Sequence, residues 1–172
     1  MLKKFIIVSI GCCFLASPTY ARNWNLGFKL AYIEPDGSVI SSSDNADNVG
    51  VIFGYQWPQS YGAIGLEADY TTSFLEGSVD EDGVQISEAF FIDTLGAHAT
   101  YKTPGYATNL GIYAKYRAGV TYYKVTNAGF LNDEKTEFSF GVGVGLKLGQ
   151  VDLELDYTTF NDFDMFSLAI LF

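Results

Sequence analysis

Basic side chains are scarce in this 172-residue sequence: 10 lysines and arginines stand against 20 aspartates and glutamates, for a formal charge of −10. Neutralising phosphates takes clustered Lys and Arg, so no nucleic-acid partner is expected. Cysteine occurs only as Cys12 and Cys13, inside an apolar N-terminal stretch. A chain that loses this stretch has neither a disulfide nor a thiolate site. After residue 20 there is no run of about 20 apolar residues, which excludes membrane-spanning helices. The sequence is instead rich in aromatic residues, 16%, and in glycine, 18 residues. The meaning of that mixture lies in its spacing.

The N-terminus reads as a targeting segment. Lys3 and Lys4 form a positive region, Phe5 to Leu15 an apolar core, and Thr19-Tyr20-Ala21 a small-x-small-like cleavage site. The apolar core, about 11 residues long, is too short to span a bilayer. Ser9-Ile10-Gly11-Cys12 matches a lipidation box poorly. Residues 1–21 are therefore expected to be a signal peptide and residues 22–172 a single domain. Losing Lys3 and Lys4 would take the formal charge from −10 to −12.

Eight stretches after this segment alternate apolar and polar residues with the period of a strand. They are Arg22 to Glu34, Asn48 to Trp57, Gly62 to Phe74, Ala89 to Lys102, Asn109 to Val125, Thr136 to Leu148, Val151 to Phe160 and Phe163 to Phe172. Alternation is weakest in the fourth, where Phe90, Phe91, Ile92 and Asp93 blur the phase. In the last, Phe166, Leu168, Ile170 and Phe172 share one purely apolar face. Each stretch is near the 9 to 11 residues or so that a tilted strand needs to cross a bilayer. The connections alternate long and short: Glu34 to Asp47, Pro58 to Tyr61, Leu75 to Glu88, Thr103 to Ala107, Thr126 to Lys135 and Gly149-Gln150, with a final tight Asn161-Asp162. The fold expected is all-β, an eight-stranded antiparallel up-and-down transmembrane β-barrel, with short turns toward the periplasm, longer loops outside and both termini periplasmic. Aromatic residues divide into two belts. Trp24, Trp57, Tyr61, Tyr101, Tyr106 and Phe172 fall at the end with the termini, and Phe74, Tyr122, Phe138, Tyr157 and Phe160 nearer the loops.

The apolar face is expected to meet lipid, because it is too uniform and too bulky for the interior of an eight-stranded barrel, which is only wide enough for side chains to fill. A lipocalin-like barrel with that face inward is the alternative. With lipid outside, the lumen carries Lys29, Lys102, Lys115, Arg117 and Lys147 with Glu67, Asp69, Asp152, Glu154 and Asp156. Buried charges must be paired, so ion pairs across the lumen and no continuous water channel are expected. Gly141, Gly143 and Gly145 would make room for Tyr113, Arg117 and Tyr123. His98, the one histidine, sits on the polar face and reads as a hydrogen-bonded filler. Gly141 to Gly145 continues a strand and opens no helix, so it is no nucleotide loop. The outer loops carry Glu34, Asp36, Asp44 and Asp47, then Glu76, Asp80, Glu81, Asp82 and Glu88, then Asp133 and Glu134. Asp80-Glu81-Asp82 lacks the ligand spacing of a calcium loop, and no metal or cofactor is expected.

Signal segment, eight strands, alternating loops and terminal Phe together resemble the small outer-membrane β-barrel family of the OmpA transmembrane domain, OmpX and the opacity and Ail-type surface proteins. The resemblance implies that the final apolar face of Phe166, Leu168, Ile170 and Phe172 is read by the barrel-assembly machinery. It also implies a bacterial outer-membrane location among lipid and lipopolysaccharide, and a role in envelope integrity or surface interaction, such as adhesion or resistance to host defence. Loops bearing Asp80, Glu81 and Asp82 would meet host or surface macromolecules. Two other readings stay open, a narrow pore and a lipid A modifying enzyme. The family's lipid A deacylase depends on a His-x-Ser pair facing lipid; His98-Ala99-Thr100 departs from it by Thr for Ser and by pointing inward. No catalytic activity is expected.

Overall fold

The computed structural model describes residues 23–35, 46–75, 77–81, 84–107, 110–127, 132–160 and 163–172. They form strands β1 (Trp24–Pro35), β2 (Ala46–Gln59), β3 (Gly62–Leu75), β4 (Gly77–Glu81), β5 (Val84–Lys102), β6 (Leu110–Asn127), β7 (Asn132–Leu148), β8 (Val151–Phe160) and β9 (Phe163–Leu171). Each pairs antiparallel with its neighbour in the chain, except that β3 continues past the short β4 to pair with β5. Pairing of β1 with β9 then closes eight strands into a barrel, with β4 as an extra strand along the outer part of β5. At the seam Leu26 and Phe172 exchange backbone hydrogen bonds of 3.2 and 2.8 Å. Closure satisfies the edge that an open sheet would leave unpaired.

Period-2 alternation holds around the wall. In β9, Phe163, Met165, Ser167, Ala169 and Leu171 are buried while Phe166, Leu168 and Ile170 are exposed. The same parity exposes Phe28 and Leu30 on β1, Leu66 and Tyr70 on β3, Phe138, Phe140, Val142 and Val144 on β7, and Leu155 on β8. Large apolar side chains therefore clothe the outside, while the buried charges Lys29, Glu67, Asp69, Lys102, Lys115, Arg117, Asp152, Glu154 and Asp156 all lie inside, the reverse of a water-soluble barrel. Aromatic rings gather at the end with the termini: Trp24 packs on Phe53 and Tyr55, Tyr55 on Trp57, and Tyr101 stacks on Tyr116.

Turns at this end are tight because glycine permits them. Gly62 opens β3 at φ 137° and Gly149 turns β7 into β8 at φ 67°, conformations costly for a side chain with a Cβ. A 3-10 turn, Pro104–Ala107, joins β5 to β6.

The structure departs from the sequence expectation in three places. The connection Leu75 to Glu88 holds β4 and the start of β5, so it is a hairpin rather than a loop. Similarly, β6 and β7 pair out to Thr126 and Asn132. Outside the bilayer, backbone pairing continues where lipid no longer imposes an apolar face, so alternation fades before the strand ends. Phe160, assigned to the outer aromatic belt, is instead buried in the lumen at 1% exposure, on the parity of Asp156 and Thr158. The signal segment 1–21, Asp36, Asp44, Glu76, Asp82 and the turn Asn161-Asp162 lie outside the described residues; Asp80 and Glu81 lie on β4.

The outward face predicts a depth-dependent penalty. Leu168→Arg, on the lipid side of β9, is expected to lower stability by roughly 2–4 kcal/mol in urea unfolding from lipid vesicles, the range for a basic residue at a bilayer midplane.

Candidate functional site

Because eight strands enclose only a side chain's width, whatever the barrel does to solutes is decided by how its lumen is filled. Inward residues form three tiers. Toward the termini the filling is mainly charged, with two small apolar groups, Ile52 with Ala169 and Leu171 and Ala63 with Tyr113, among the ions; midway it is neutral and polar, and toward the loops it is apolar.

The charged tier centres on Lys115. This fully buried ammonium lies 2.9 Å from Glu67, 2.6 Å from Glu154 and 2.9 Å from Asp156. Lys102 and Lys115 are direct cross-strand partners, a like-charge pair that would repel. Glu154 separates them by giving one carboxylate oxygen to each, at 2.5 and 2.6 Å, and the Tyr113 hydroxyl donates to it at 2.6 Å. A second centre forms on Asp69, which receives the Lys29 ammonium and both contacts of Arg117 Nη2, each 3.2 Å. Arg117 Nη1 also lies 3.5 Å from Glu67, which joins the two centres. Lys147 pairs with Asp152 at 3.4 Å near the rim, its side chain 20% exposed. Five cations thus face five carboxylates. Desolvation costs several kcal/mol per ion, and such a cluster persists only when every charge has partners.

Glycines make the space. A Cβ at Gly145 would overlap the Tyr113 ring, one at Gly143 the Asp156 carboxylate, and one at Gly141 would meet the Arg117 stem. Tyr123 needs no such slot, because it packs on Phe160 and Phe163 in the apolar tier.

His98 lies where the charged and polar tiers meet. Its Nδ1 is 2.6 Å from Arg117 Nη2 and its Nε2 is 2.9 Å from Ser139 Oγ. Guanidinium can only donate, so Nδ1 accepts and Nε2–H donates to Ser139, which also accepts from Thr121 at 3.0 Å. Asp69 Oδ1 stands 3.6 Å from Nδ1. Carboxylate, imidazole and hydroxyl are thus in sequence, as in a hydrolase triad. All three are buried inside the barrel, and the guanidinium takes the position at Nδ1 that an orienting carboxylate would hold. Above them, Asn48 donates to Thr71 at 3.0 Å and to the Ile92 carbonyl at 2.7 Å, and Thr71 bonds Thr94 at 2.8 Å.

The apolar tier was not anticipated. Ala31, Ile33, Ala46, Phe90, Ile92, Tyr123, Phe160, Phe163 and Met165 form one buried cluster across the loop end of the lumen. Its signal was present in the blurred phase of Phe90-Phe91-Ile92, where both strand faces are apolar because one meets lipid and the other the plug. Among the described residues no His, Cys, Asp and Glu group is arranged to hold a metal. Beyond the plug, exposed Lys124 and Glu134 pair at 3.2 Å, and the hydrogen bonds that Glu134 accepts from Lys124 and Tyr122 hold its carboxyl below the ordinary value.

Residues 5–167 match the family model described as outer membrane protein beta-barrel domain. The chain belongs to that family. An outer-membrane barrel is thereby identified, with its apolar wall in lipid. Neisserial surface protein A has a similar solved structure, 17% identical, with 89% of this chain and 98% of that chain covered at a TM-score of 0.59. The outer membrane enzyme PagL is 14% identical, covering 86% of this chain and 97% of that chain at 0.54. Ail, the attachment invasion locus protein of Yersinia pestis, is 14% identical over 86% and 93% at 0.46. No curated protein matches the chain.

The Lys115 hub yields a test. Lys115→Met strands Glu67, Glu154 and Asp156 together, and is expected to cost about 3–5 kcal/mol in urea unfolding. Lys147→Met, at the wetter rim, is expected to cost less than about 1 kcal/mol.

Proposed function

We propose that this outer-membrane barrel is a non-conducting scaffold that displays acidic loops at the cell surface and acts in envelope integrity or surface interaction, such as adhesion or resistance to host defence. The observation that carries the reading is the filled lumen. The charged tier is paired throughout and the apolar cluster of Phe90, Ile92, Tyr123, Phe160, Phe163 and Met165 lies across its loop end. A barrel that passes nothing presents its outer surface. The paired termini lie at the periplasmic side, in keeping with the short turns there and the longer hairpins opposite. Outer-membrane lipid and lipopolysaccharide surround the wall, and the apolar face of Phe166, Leu168, Ile170 and Phe172 serves the assembly machinery. No reaction is assigned. The imidazole and hydroxyl that could form a nucleophile, His98 and Ser139, are sealed from lipid-borne substrates, although PagL, of similar fold, is described as an enzyme.

Reconstituted in planar bilayers, the protein is expected to give no steady single-channel openings; stable conductance steps would favour a pore. Neutralising the outer loop by Asp80→Asn, Glu81→Gln and Asp82→Asn is expected to reduce adhesion of protein-bearing vesicles to a polylysine-coated surface at least several-fold. Equal adhesion of both forms would remove these carboxylates from the binding reading.

A further inference from the structure

The outward charges at the loop end of the wall are compensated on one side of the barrel and not on the other. On β5, β6 and β7, Asp93 stands opposite Lys124 and Lys124 opposite Glu134, so the signs alternate, and Lys124 closes on Glu134 at 3.2 Å. On β2, β1 and β9 the outward residues at this level are Asp47, Glu34 and Asp164. Glu34 and Asp164 are direct cross-strand partners, and Asp47, opposite Tyr32, lies one diagonal away from Glu34. The remaining register partners are Leu75 for Asp47 and Thr159 for Asp164, so no basic residue faces any of the three. Like charges directly opposite each other destabilise a sheet.

Beneath these carboxylates an open groove of about 820 Å³ runs over β1, β9, β8 and β7 and reaches Asp47 at its rim. Its lining is layered by the register. Leu30, Leu168 and Leu155 form an aliphatic row, Tyr32, Phe166 and Tyr157 an aromatic row above it, and Glu34 and Asp164 come next toward the loops. Tyr157 packs on Phe166 with 4.9 Å between ring centroids, and its hydroxyl donates to Asp164 Oδ1 at 2.8 Å. The order is that of one lipid leaflet, with hydrocarbon first, then the aromatic interface, then headgroups.

We infer that this groove is a docking site for a lipid whose headgroup carries a primary ammonium, with its chains along Leu30, Leu155 and Leu168 and its N–H donors on Glu34, Asp47 and Asp164. The carboxylates stand on the wall that borders lipid, so a compensating charge comes from the lipid side. A phosphate alone would add to the repulsion. A quaternary ammonium brings charge without a donor, whereas a primary one makes charge-assisted hydrogen bonds to carboxylates, which only accept. A resident metal ion fits less well, since among the described residues no His, Cys, Asp and Glu group is arranged to hold one. The site depends on the lipid-facing wall alone, so it stands or falls apart from the surface-interaction reading.

The test uses the whole chain refolded into vesicles of phosphatidylcholine that contain a minor share of phosphatidylethanolamine with the same acyl chains. Native mass spectrometry then reads the lipid that stays bound. Phosphatidylethanolamine is expected to be enriched about five-fold over its share in the vesicle, the ratio that one well-placed exposed ion pair supplies. Glu34→Gln combined with Asp164→Asn is expected to return the bound lipid to the vesicle's own composition, while Asp93→Asn, on the compensated side, leaves the enrichment in place. Bound lipid that matches the vesicle in the unmutated protein overturns the site, and so does equal enrichment in the double variant. A preference for phosphatidylglycerol that appears with calcium and disappears with chelator also overturns it, since phosphate bridged by a metal ion would then be the occupant. Should the double variant fail to fold, Glu34→Gln alone gives the same readout, with a fall toward the vesicle composition expected and an unchanged enrichment contrary.

Discussion

Hydrocarbon offers no hydrogen bonds, and that one constraint shapes this molecule. A sheet in lipid cannot leave an edge, because each unsatisfied backbone group there costs several kcal/mol. The chain must therefore return its last strand to its first, as β9 does to β1 through Leu26 and Phe172. With eight strands the closed circumference is small, so closure also dictates a lumen that side chains fill. Outward parity is fixed by lipid and inward parity by the need to occupy a narrow cylinder.

The filling meets this need by different physics along the axis. Near the termini it relies on charge, with carboxylates placed between cations so that the like-charged neighbours Lys102 and Lys115 are held together by Glu154. Near the loops it relies on apolar contact, with Tyr123, Phe160 and Phe163 ring on ring. The order matters for the ions. Their mutual attraction is strong only where water is excluded, and the aromatic plug excludes it from the loop end. Plug and network thus support each other: one lowers the dielectric that the other needs.

Much of this was legible in the sequence because lipid enforces a simple code. Alternation located all eight barrel strands, and the parity of Lys29, Glu67, Asp69, Lys115, Arg117, Asp152, Glu154 and Asp156 placed them on one face. Partner choice was not legible. That Lys115 takes three carboxylates, or that Arg117 reaches past His98 on the neighbouring strand to Asp69 on the strand beyond it, depends on stagger around the cylinder, which no single strand records. The apolar tier escaped for a different reason. Phe160, Phe163 and Met165 are apolar residues on the polar parity, and at a strand end they cannot be told from belt aromatics without knowing which way the side chain points. Strand ends beyond the bilayer, in β4 and the tips of β6 and β7, were missed because no lipid imposes a pattern there.

A lumen filled wholly by apolar side chains would avoid the desolvation of ten charged groups, and buried ion pairs replaced by well-packed apolar residues are often no less stable. Folded-state energetics therefore do not explain the charges. The unfolded chain does. A strand apolar on both faces is a continuous hydrophobic segment of high β-propensity, the composition that aggregates while a protein is still unfolded. In β8 the inward Asp152, Glu154 and Asp156 interrupt Val151, Leu153, Leu155 and Tyr157 at every step. Lys115 and Arg117 break β6 in the same way. The apolar plug draws on strand ends instead, where the runs stay short: Phe90, Phe91 and Ile92 are followed by Asp93, and Phe163 and Met165 are separated by Asp164. Charges in the middle of strands and aromatic residues at their ends thus reconcile two demands made at different times, a chain that stays apart in water and a cylinder that closes in lipid.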